Sequence, residues 1–278
     1  MKTIKIFQIP GTEEWRREAR IALHNNLHPN DILWLVEDST QSDLFDTLSI
    51  NKQEHSQNQS CNHRQEKRSH ASIAIPKSAI ELFNMALCHK DPQRFSLCYR
   101  VLWRIVFEDR YLLQRKTDND IITLTALVKA VRRDAYKMSA YLRFRKIDSP
   151  DNETERFVAW YEPEHYSLEL KLDFFKTRFK NMQWSILTPY RAAHWDMTSM
   201  VLQDTPSRAQ YPKEDEVEKY WLTYYANIFN PARPKKKAML SSMPKKYWKN
   251  MPETVLIEDL IRTAESKSRK MIDNAASD

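Results

Sequence analysis

Glycine is almost absent from this 278-residue chain, in which Gly11 is the only one. Average proteins contain about 7% glycine. The phosphate-binding P-loop, the dinucleotide-binding GxGxxG turn and the glycine-built hairpin of helix-hairpin-helix modules all need backbone without a Cβ beside a phosphate. The composition therefore excludes these three kinds of site.

Cysteines and long apolar runs are also scarce. Cys61, Cys88 and Cys98 form no CxxC pair, which argues against a disulfide framework, a zinc ribbon and a cluster-binding motif, and no metal or cofactor is predicted. Charges interrupt every apolar run well before the roughly 20 residues that a bilayer requires. The N-terminus lacks an export signal. We therefore expect a cytoplasmic protein with no membrane partner.

The first 75 residues predict a small βαβ-like lobe. Residues 3–9 and 31–37 read as strands on either side of a helix at 12–25, for which Thr12 is the expected N-cap. Residues 38–72 are predicted as a polar surface loop, because the stretch of residues 51–70 has no large aliphatic or aromatic residue. We place the domain boundary after this loop, with residues 76–278 as the main domain.

The main domain has an α+β pattern. Helices are expected near 92–107 and 118–136, the second with Asp118 as N-cap. From 137 to 147 the period changes to two, which predicts a strand with a basic outer face. Further strands are expected at 156–161, in WSILTP and near HWDMTSMVL, and helices at a stripe from Leu168 to Phe179 and near 213–229, 235–248 and 254–272. We expect a mainly antiparallel sheet packed with several helices.

Positive charge is concentrated in three windows, residues 129–146, 176–191 and 231–250, which together carry +17 and leave about −10 for the rest of the chain. Such segregation indicates an anionic partner, most often phosphate. Aromatic residues alternate with the charges and could stack on unpaired bases. The candidate nucleic-acid-binding residues are Lys129, Arg132, Arg133, Lys137, Tyr141, Arg143, Arg145, Arg178, Trp184, Arg191, Trp195, Arg233, Lys235, Lys236 and Lys237.

Two short motifs offer candidate catalytic residues. WYEPEH places Glu162 and His165 at a strand-to-helix junction, and HWD places His194 and Asp196 two residues apart on one side of an extended segment. Either motif suits general acid/base chemistry. Each also suits a histidine held by a neighbouring carboxylate in a structural network, and metal binding stays open as a third reading.

Several blocks of the chain closely resemble a bacterial family of unknown biochemical function whose members carry the description "probable DNA metabolism protein". The blocks include DPQRFSLCYRVLW (91–103), AVRRDAYKMSAYLRFR (130–145), FVAWYEPEH (157–165), FFKTRFKNMQWSILTPYRAAHWD (174–196), YWLTYYANIFNPAR (220–233) and MPKKYWKNMPE (243–253). The opening EEWRREARIALHNNLHPNDILWLVED is similar as well. The resemblance thus covers most of the chain outside residues 40–70.

The resemblance implies a DNA-repair setting. Members of the family pair with a radical-SAM protein thought to act in DNA modification or repair, and the domain also occurs fused ahead of a uracil-DNA-glycosylase-type domain. The family pattern marks Arg132, Arg133, Asp134, Arg143, Arg145, Trp160, Glu162, His165, Trp184, His194, Trp195, Asp196, Asn230, Pro231 and Arg233. This chain departs from the pattern at Met197, where relatives usually have Gly, and at Tyr136, where they usually have His.

Three functions remain in competition. The first is a DNA-binding accessory protein that presents damaged or modified DNA to a radical-SAM or glycosylase-type partner. The second is a nucleic-acid-processing enzyme that uses Glu162, His165, His194 and Asp196. The third is a scaffold whose basic surfaces dock an acidic protein without contacting nucleic acid.

Overall fold

The structure is a computed structural model that describes residues 1–7, 10–36, 74–147, 155–204, 241, 243–251, 254–257, 259–260 and 262–264. The chain forms two compact units, Met1–Arg132 and Arg133–Asp278, whereas the boundary predicted from the sequence lay at residues 75 and 76. Helices and sheets occur together, as predicted for an α+β fold. No helix in the described ranges is both long and apolar enough to cross a bilayer.

The first unit begins with the predicted βαβ arrangement. Strands β1 (Lys2–Ile6) and β2 (Ile32–Val36) pair in parallel, and helix α1 (Thr12–His24) connects them. Ile4 and Ile6 are buried while their neighbours are exposed, which is the alternation of a half-buried strand.

Helix α1 begins differently from the prediction. Gly11, and not Thr12, is the N-cap residue, and its φ of 76° lies in the left-handed region. The carbonyl of Gly11 accepts the first helical hydrogen bond from Trp15 N at 2.8 Å. Only glycine adopts this conformation without a Cβ clash, so the single glycine of the chain stands where the backbone needs it.

Helices α2 (Lys77–Ala86) and α3 (Arg94–Phe107) complete the core of the first unit. Trp15 packs at 6.0 Å from Trp34 and from Phe83, measured between ring centroids. The Trp15 indole N–H donates to the Phe95 carbonyl at 3.1 Å. This aromatic centre joins β2, α1, α2 and α3.

Helix α4 (Asn119–Tyr141) is the longest described element. Asp118 Oδ1 accepts from the backbone N–H groups of Asp120 at 3.0 Å and Ile121 at 3.3 Å, which confirms Asp118 as the N-cap. The buried apolar residues of the helix recur at alternating steps of three and four, the stripe of a helix with one buried face. They are Ile121, Leu124, Val128, Val131, Ala135 and Met138, and Leu142 continues the stripe just past the helix end.

The strand predicted from 137 to 147 is wrong over most of its length. Residues up to Tyr141 remain helical, and the strand β3 covers only Arg145–Ile147. Met138 and Leu142 fit both a period of two and the helical stripe, so they cannot decide between the two structures. Ala140 decides, because it is exposed where an alternating strand would bury it.

The second unit is built on a five-stranded sheet of order β3-β4-β5-β6-β7. The other strands are β4 (Arg156–Trp160), β5 (Gln183–Leu187), β6 (Arg191–Trp195) and β7 (Met200–Asp204). Only β4 and β5 pair in parallel, and the remaining three pairs are antiparallel. The prediction of a mainly antiparallel sheet is confirmed.

One face of this sheet carries the larger core of the second unit. Trp184 and Ile186 of β5 and Trp195 of β6 are buried there with Phe175, which lies in helix α5 (Leu172–Arg178). A 3₁₀ helix at Lys245–Asn250 contributes the buried Tyr247 to the same core. Residues 254–257 are helical, as predicted. The helix predicted near 213–229 and half of that near 235–248 lie outside the described residues.

Candidate nucleic-acid interface

The outer side of α4 carries a row of cations. Lys129, Arg132 and Arg133 are exposed, Tyr136 is 69% exposed, and Lys137 is half-buried. Steps of three and four residues put side chains on the same side of a helix, about 5–6 Å apart at Cβ. We call these five residues the α4 face.

Within the described residues, neighbouring acids do not neutralise the α4 face. The side chains of Lys129, Arg132 and Arg133 form no ion pair with a residue in the described part of the chain. By contrast, Arg104 binds Asp118 at 2.6 Å. A helix dipole favours cations only within the last turn, and α4 ends eight residues after Arg133. Helix stability therefore does not account for these charges.

The one acidic residue in this stretch of α4, Asp134, points into the core and is 4% exposed. Its Oδ1 accepts from Glu164 N at 3.0 Å and from Tyr247 Oη at 3.4 Å. Its Oδ2 accepts from His165 N at 3.1 Å and from Ser167 Oγ at 2.9 Å. Neutral donors thus satisfy the carboxylate, which joins α4 to the segment after β4 and to the 3₁₀ helix.

Three tyrosine rings lie together beside Asp134, of which two are stacked and the third is tilted. The rings of Tyr161 and Tyr247 lie parallel, 5.4 Å apart at an angle of 6°, and Tyr141 lies 5.6 Å from Tyr247. Burial raises the pKa of Tyr161 and that of Tyr247 above their ordinary values. These phenols stay neutral at physiological pH, so the stack adds no negative charge near the α4 face.

Two of the three basic windows meet at Tyr247. The ammonium groups of Lys137 on α4 and of Lys246 on the 3₁₀ helix lie 5.8 and 4.9 Å from the centroid of the Tyr247 ring. Cations within about 6 Å of a ring centroid are attracted to its face. Lys137 and Lys246, one from each of these two windows, thus contribute to one basic region of the second unit.

The WYEPEH motif lies at the same region, and its carboxylates are held by lysines. Glu162 accepts from the Trp160 indole at 3.0 Å and forms an ion pair with Lys249. Glu164 pairs with Lys246 at 2.8 Å. His165 is buried. Both carboxylates of the motif are thus engaged in ion pairs with lysines of the 3₁₀ helix.

His194 of the HWD motif lies on β6 between two neutral side chains. Its Nδ1 lies 2.8 Å from Ser185 Oγ and its Nε2 lies 3.2 Å from Gln203 Oε1. The imidazole is therefore held between strands β5 and β7, and not by Asp196.

Asp196 closes the turn between β6 and β7. Its carboxylate accepts from Thr198 N at 2.8 Å and from Ser199 N at 2.6 Å, and Ser199 Oγ donates to it at 2.7 Å. The hydrogen bonds from Ser199 and then Thr198 lower the pKa of this exposed carboxyl. Met197, which lies between Asp196 and Thr198, has a φ of 74°, in the left-handed region that favours glycine.

The two candidate catalytic pairs lie at opposite ends of the sheet. Glu162 follows the C-terminal end of β4, whereas Asp196 follows that of β6, which runs antiparallel to β4 and β5. His194 is in register with Ser185, and Ser185 with Val158, four residues before Glu162. At about 3.3 Å per residue this is about 13 Å along the strands. The four residues do not form one acid/base site.

Two predicted base-stacking residues belong to the core. Trp184 is 2% exposed, and its ring lies 5.9 Å from Phe144 and 6.2 Å from Phe175. Trp195 is also buried, and its indole N–H donates to the Lys180 carbonyl at 3.2 Å. Neither ring can face a ligand, because tryptophans on the inner side of a sheet bury their large apolar surface.

The remaining candidates differ in their surroundings. Arg191 pairs with Glu169 at 2.7 Å, and Arg143 donates to the Ala140 carbonyl at 2.9 Å near the end of α4. Arg178 is exposed at the end of α5, and Arg145 is half-buried. Arg233, Lys235, Lys236 and Lys237 lie outside the described residues. Within the described ranges, no three His, Cys, Asp or Glu side chains are grouped as metal ligands.

The geometry defines an α+β protein in which the cations of the α4 face have no acidic partner among the described residues. Residues 92–253 match the model of a family described as a domain of unknown function, DUF4130. Because the match covers more than half of the chain, the protein belongs to this family. No curated protein and no solved structure matches it. The predicted membership of a family of unknown function is confirmed to this extent.

Tyr136, the aromatic residue of the α4 face, is one of the aromatics that alternate with charges in the first basic window, but it was not among the candidate nucleic-acid-binding residues. Tyr136 is 69% exposed, whereas Tyr141, which was predicted, is half-buried against Tyr247. Continuing the helical stripe of α4 past residue 137 would have found this difference. In such a helix Tyr136 lies opposite Met138 and Leu142 and on the side of Arg132 and Arg133.

Proposed function

We propose that the protein binds nucleic acid through the α4 face. The observation that supports this most is a row of four cations for which the described part of the chain offers no acidic partner. Like charges four residues apart on a helix cost roughly 0.2–0.5 kcal/mol per pair. Phosphates would relieve this repulsion and release their counterions, which is the main source of affinity in nucleic-acid binding.

The contribution of the α4 face is affinity and orientation, and not sequence reading. Lys and Arg chiefly contact phosphates and thereby position the protein on its ligand. Lys137 and Lys246, which meet at the Tyr247 ring, extend the basic region from α4 to the 3₁₀ helix. A backbone that follows α4 would reach this second group of cations.

The cellular role we propose is that of an accessory DNA-binding protein in DNA repair or modification, acting with a radical-SAM or uracil-DNA-glycosylase-type partner. This part rests on the resemblance of the sequence blocks. The expected result is that such a partner, produced together with this chain, co-purifies with it and retains bound DNA. A partner that purifies alone, with this chain free of nucleic acid, would contradict the role.

The experiment that tests binding is a salt titration of Arg132→Ala/Arg133→Ala. Affinity for a labelled oligonucleotide is measured by fluorescence anisotropy over a range of salt concentrations. Each lost phosphate contact lowers the slope of log K against log salt by about 0.7 for single strands or about 0.9 for duplex. The slope of log K against log salt is therefore expected to be smaller in the double variant by about 1.4 for single strands or about 1.8 for duplex, and the affinity is expected to be lower.

A charge-matched control removes two cations elsewhere. Arg110 and Lys116 are exposed and lie outside α4, so Arg110→Ala/Lys116→Ala changes the net charge equally and is expected to keep the slope of the wild type. If both double variants lose the same amount of affinity and of slope, the protein attracts nucleic acid by its net charge alone. Wild-type protein that binds neither single-stranded nor duplex oligonucleotides would contradict the proposal and favour docking of an acidic protein.

A further inference from the structure

The α4 face contains one aromatic ring among its cations. Tyr136 is 69% exposed, and its side chain makes no hydrogen bond, ion pair or ring contact with the described residues. Arg132 and Arg133 precede it by four and three residues, which are the neighbouring positions on the same side of a helix. The ring thus stands at the centre of the phosphate-binding residues proposed above.

One side of the Tyr136 ring is also open along the helix. The residue at the next position in the same row, four residues later, is Ala140, which is exposed and carries a single methyl group. A longer side chain there would cover the ring. Tyr136 is therefore accessible from the C-terminal side, next to Lys137, while the two arginines lie on its N-terminal side.

We propose that Tyr136 stacks on an unpaired base, so that the ligand of the α4 face is single-stranded nucleic acid and not an intact duplex. A duplex offers its grooves and phosphates to side chains, but the faces of its bases are covered by their neighbours. In a single strand the base faces are accessible, and an aromatic ring between phosphate contacts binds them whatever the sequence. This inference rests on the proposed function and adds the residue that discriminates between ligands.

The test compares Tyr136→Ala with Tyr136→Phe on three ligands: a mixed-sequence single strand, the same strand made abasic throughout its centre, and the duplex. Without the stacking ring, Tyr136→Ala is expected to bind the single strand roughly 5- to 150-fold more weakly than the wild type does. Tyr136→Phe retains the ring and is expected to bind as the wild type does. On the abasic strand and on the duplex, the alanine variant and the wild type are expected to bind equally.

Tyr111→Ala is the matched control, because this ring is 67% exposed and lies outside α4. It is expected to leave all affinities unchanged. Tyr136→Ala that binds single strands as tightly as the wild type, or that loses equal affinity for all three ligands, would overturn the stacking inference alone, provided that Arg132→Ala/Arg133→Ala still weakens binding. If the arginine variant has no effect either, the proposed function fails and the inference with it.

Discussion

Replacing Asp134 should separate the structural role of α4 from its outer charges. The carboxylate accepts four hydrogen bonds, two of them from the backbone N–H groups of Glu164 and His165. Asp134→Ala leaves the buried N–H of His165 and the part-buried N–H of Glu164 without an acceptor, at about 1–3 kcal/mol for the first and less for the second. We expect a loss of about 3–5 kcal/mol in the free energy of unfolding, within the range of a broken buried network.

Asp134→Asn should cost less, because the amide keeps one acceptor oxygen. The hydroxyls of Ser167 and Tyr247, which now donate, can rotate to accept from the new NH₂ group. Only one backbone N–H, that of Glu164 or His165, then loses its acceptor. The expected loss is about 1–3 kcal/mol.

The assay for both variants is urea denaturation at neutral pH, with hydrogen exchange of the Glu164 and His165 amides as a local readout. Arg133→Ala is the control, since this neighbour is exposed and should change stability by less than about 0.5 kcal/mol. The hydrogen bonds accepted by Asp134 would not stabilise the fold as argued if Asp134→Ala lowered the free energy of unfolding by less than about 1 kcal/mol. The same would follow if Asp134→Asn were less stable than Asp134→Ala.

Two further changes test the caps and turns. Hydrogen bonding to Arg104 lowers the pKa of Asp118 from 3.8 to about 2, so this carboxylate stabilises the fold above its ordinary pKa and the contribution is lost as pH falls through the lowered value. Asp118→Ala should therefore cost about 1–2 kcal/mol in urea denaturation at neutral pH, with the difference from the wild type shrinking between pH 4 and pH 2; a constant difference would contradict this. Met197→Gly should stabilise the fold by about 1 kcal/mol in the same assay, because Met197 has a φ of 74°. Asn26→Gly is its control, since asparagine tolerates the left-handed region at Asn26, and an equal gain in both variants would count against strain at Met197.

Much of the fold could be predicted because local patterns and burial agree there. The βαβ opening, the α4 start at Asp118 and the strands β4 to β6 each follow a clear period bounded by a cap or a turn. The end of α4 could not be predicted in the same way. Met138 and Leu142 satisfy two periods at once, and the helix continues because both side chains are buried in the core of the second unit.

The candidate site was harder to predict, because the sequence does not show which aromatic residues are buried. Trp184 and Trp195 lie in basic windows, yet they are core residues of the sheet, and tryptophan suits either environment. The spacing of His194 and Asp196 predicted that both side chains lie on one side of an extended segment, but the strand β6 ends at Trp195, before Asp196. The Asp196 carboxylate then turns back onto Ser199, which spacing alone cannot reveal.

The buried side of α4 contributes to stability and its exposed side to ligand binding. This separation depends on Asp134, the one acidic residue between Lys129 and Lys137. Asp134 is buried and satisfied by neutral donors, so it holds α4 to the segment after β4 without forming a salt bridge to the exposed Arg132 and Arg133. Had the same carboxylate stood one position away, on the α4 face, it would have paired with an arginine and reduced the field that attracts phosphate. Loss of Asp134 should therefore lower stability first, whereas loss of Tyr136 should lower ligand affinity in a protein that is as stable as the wild type.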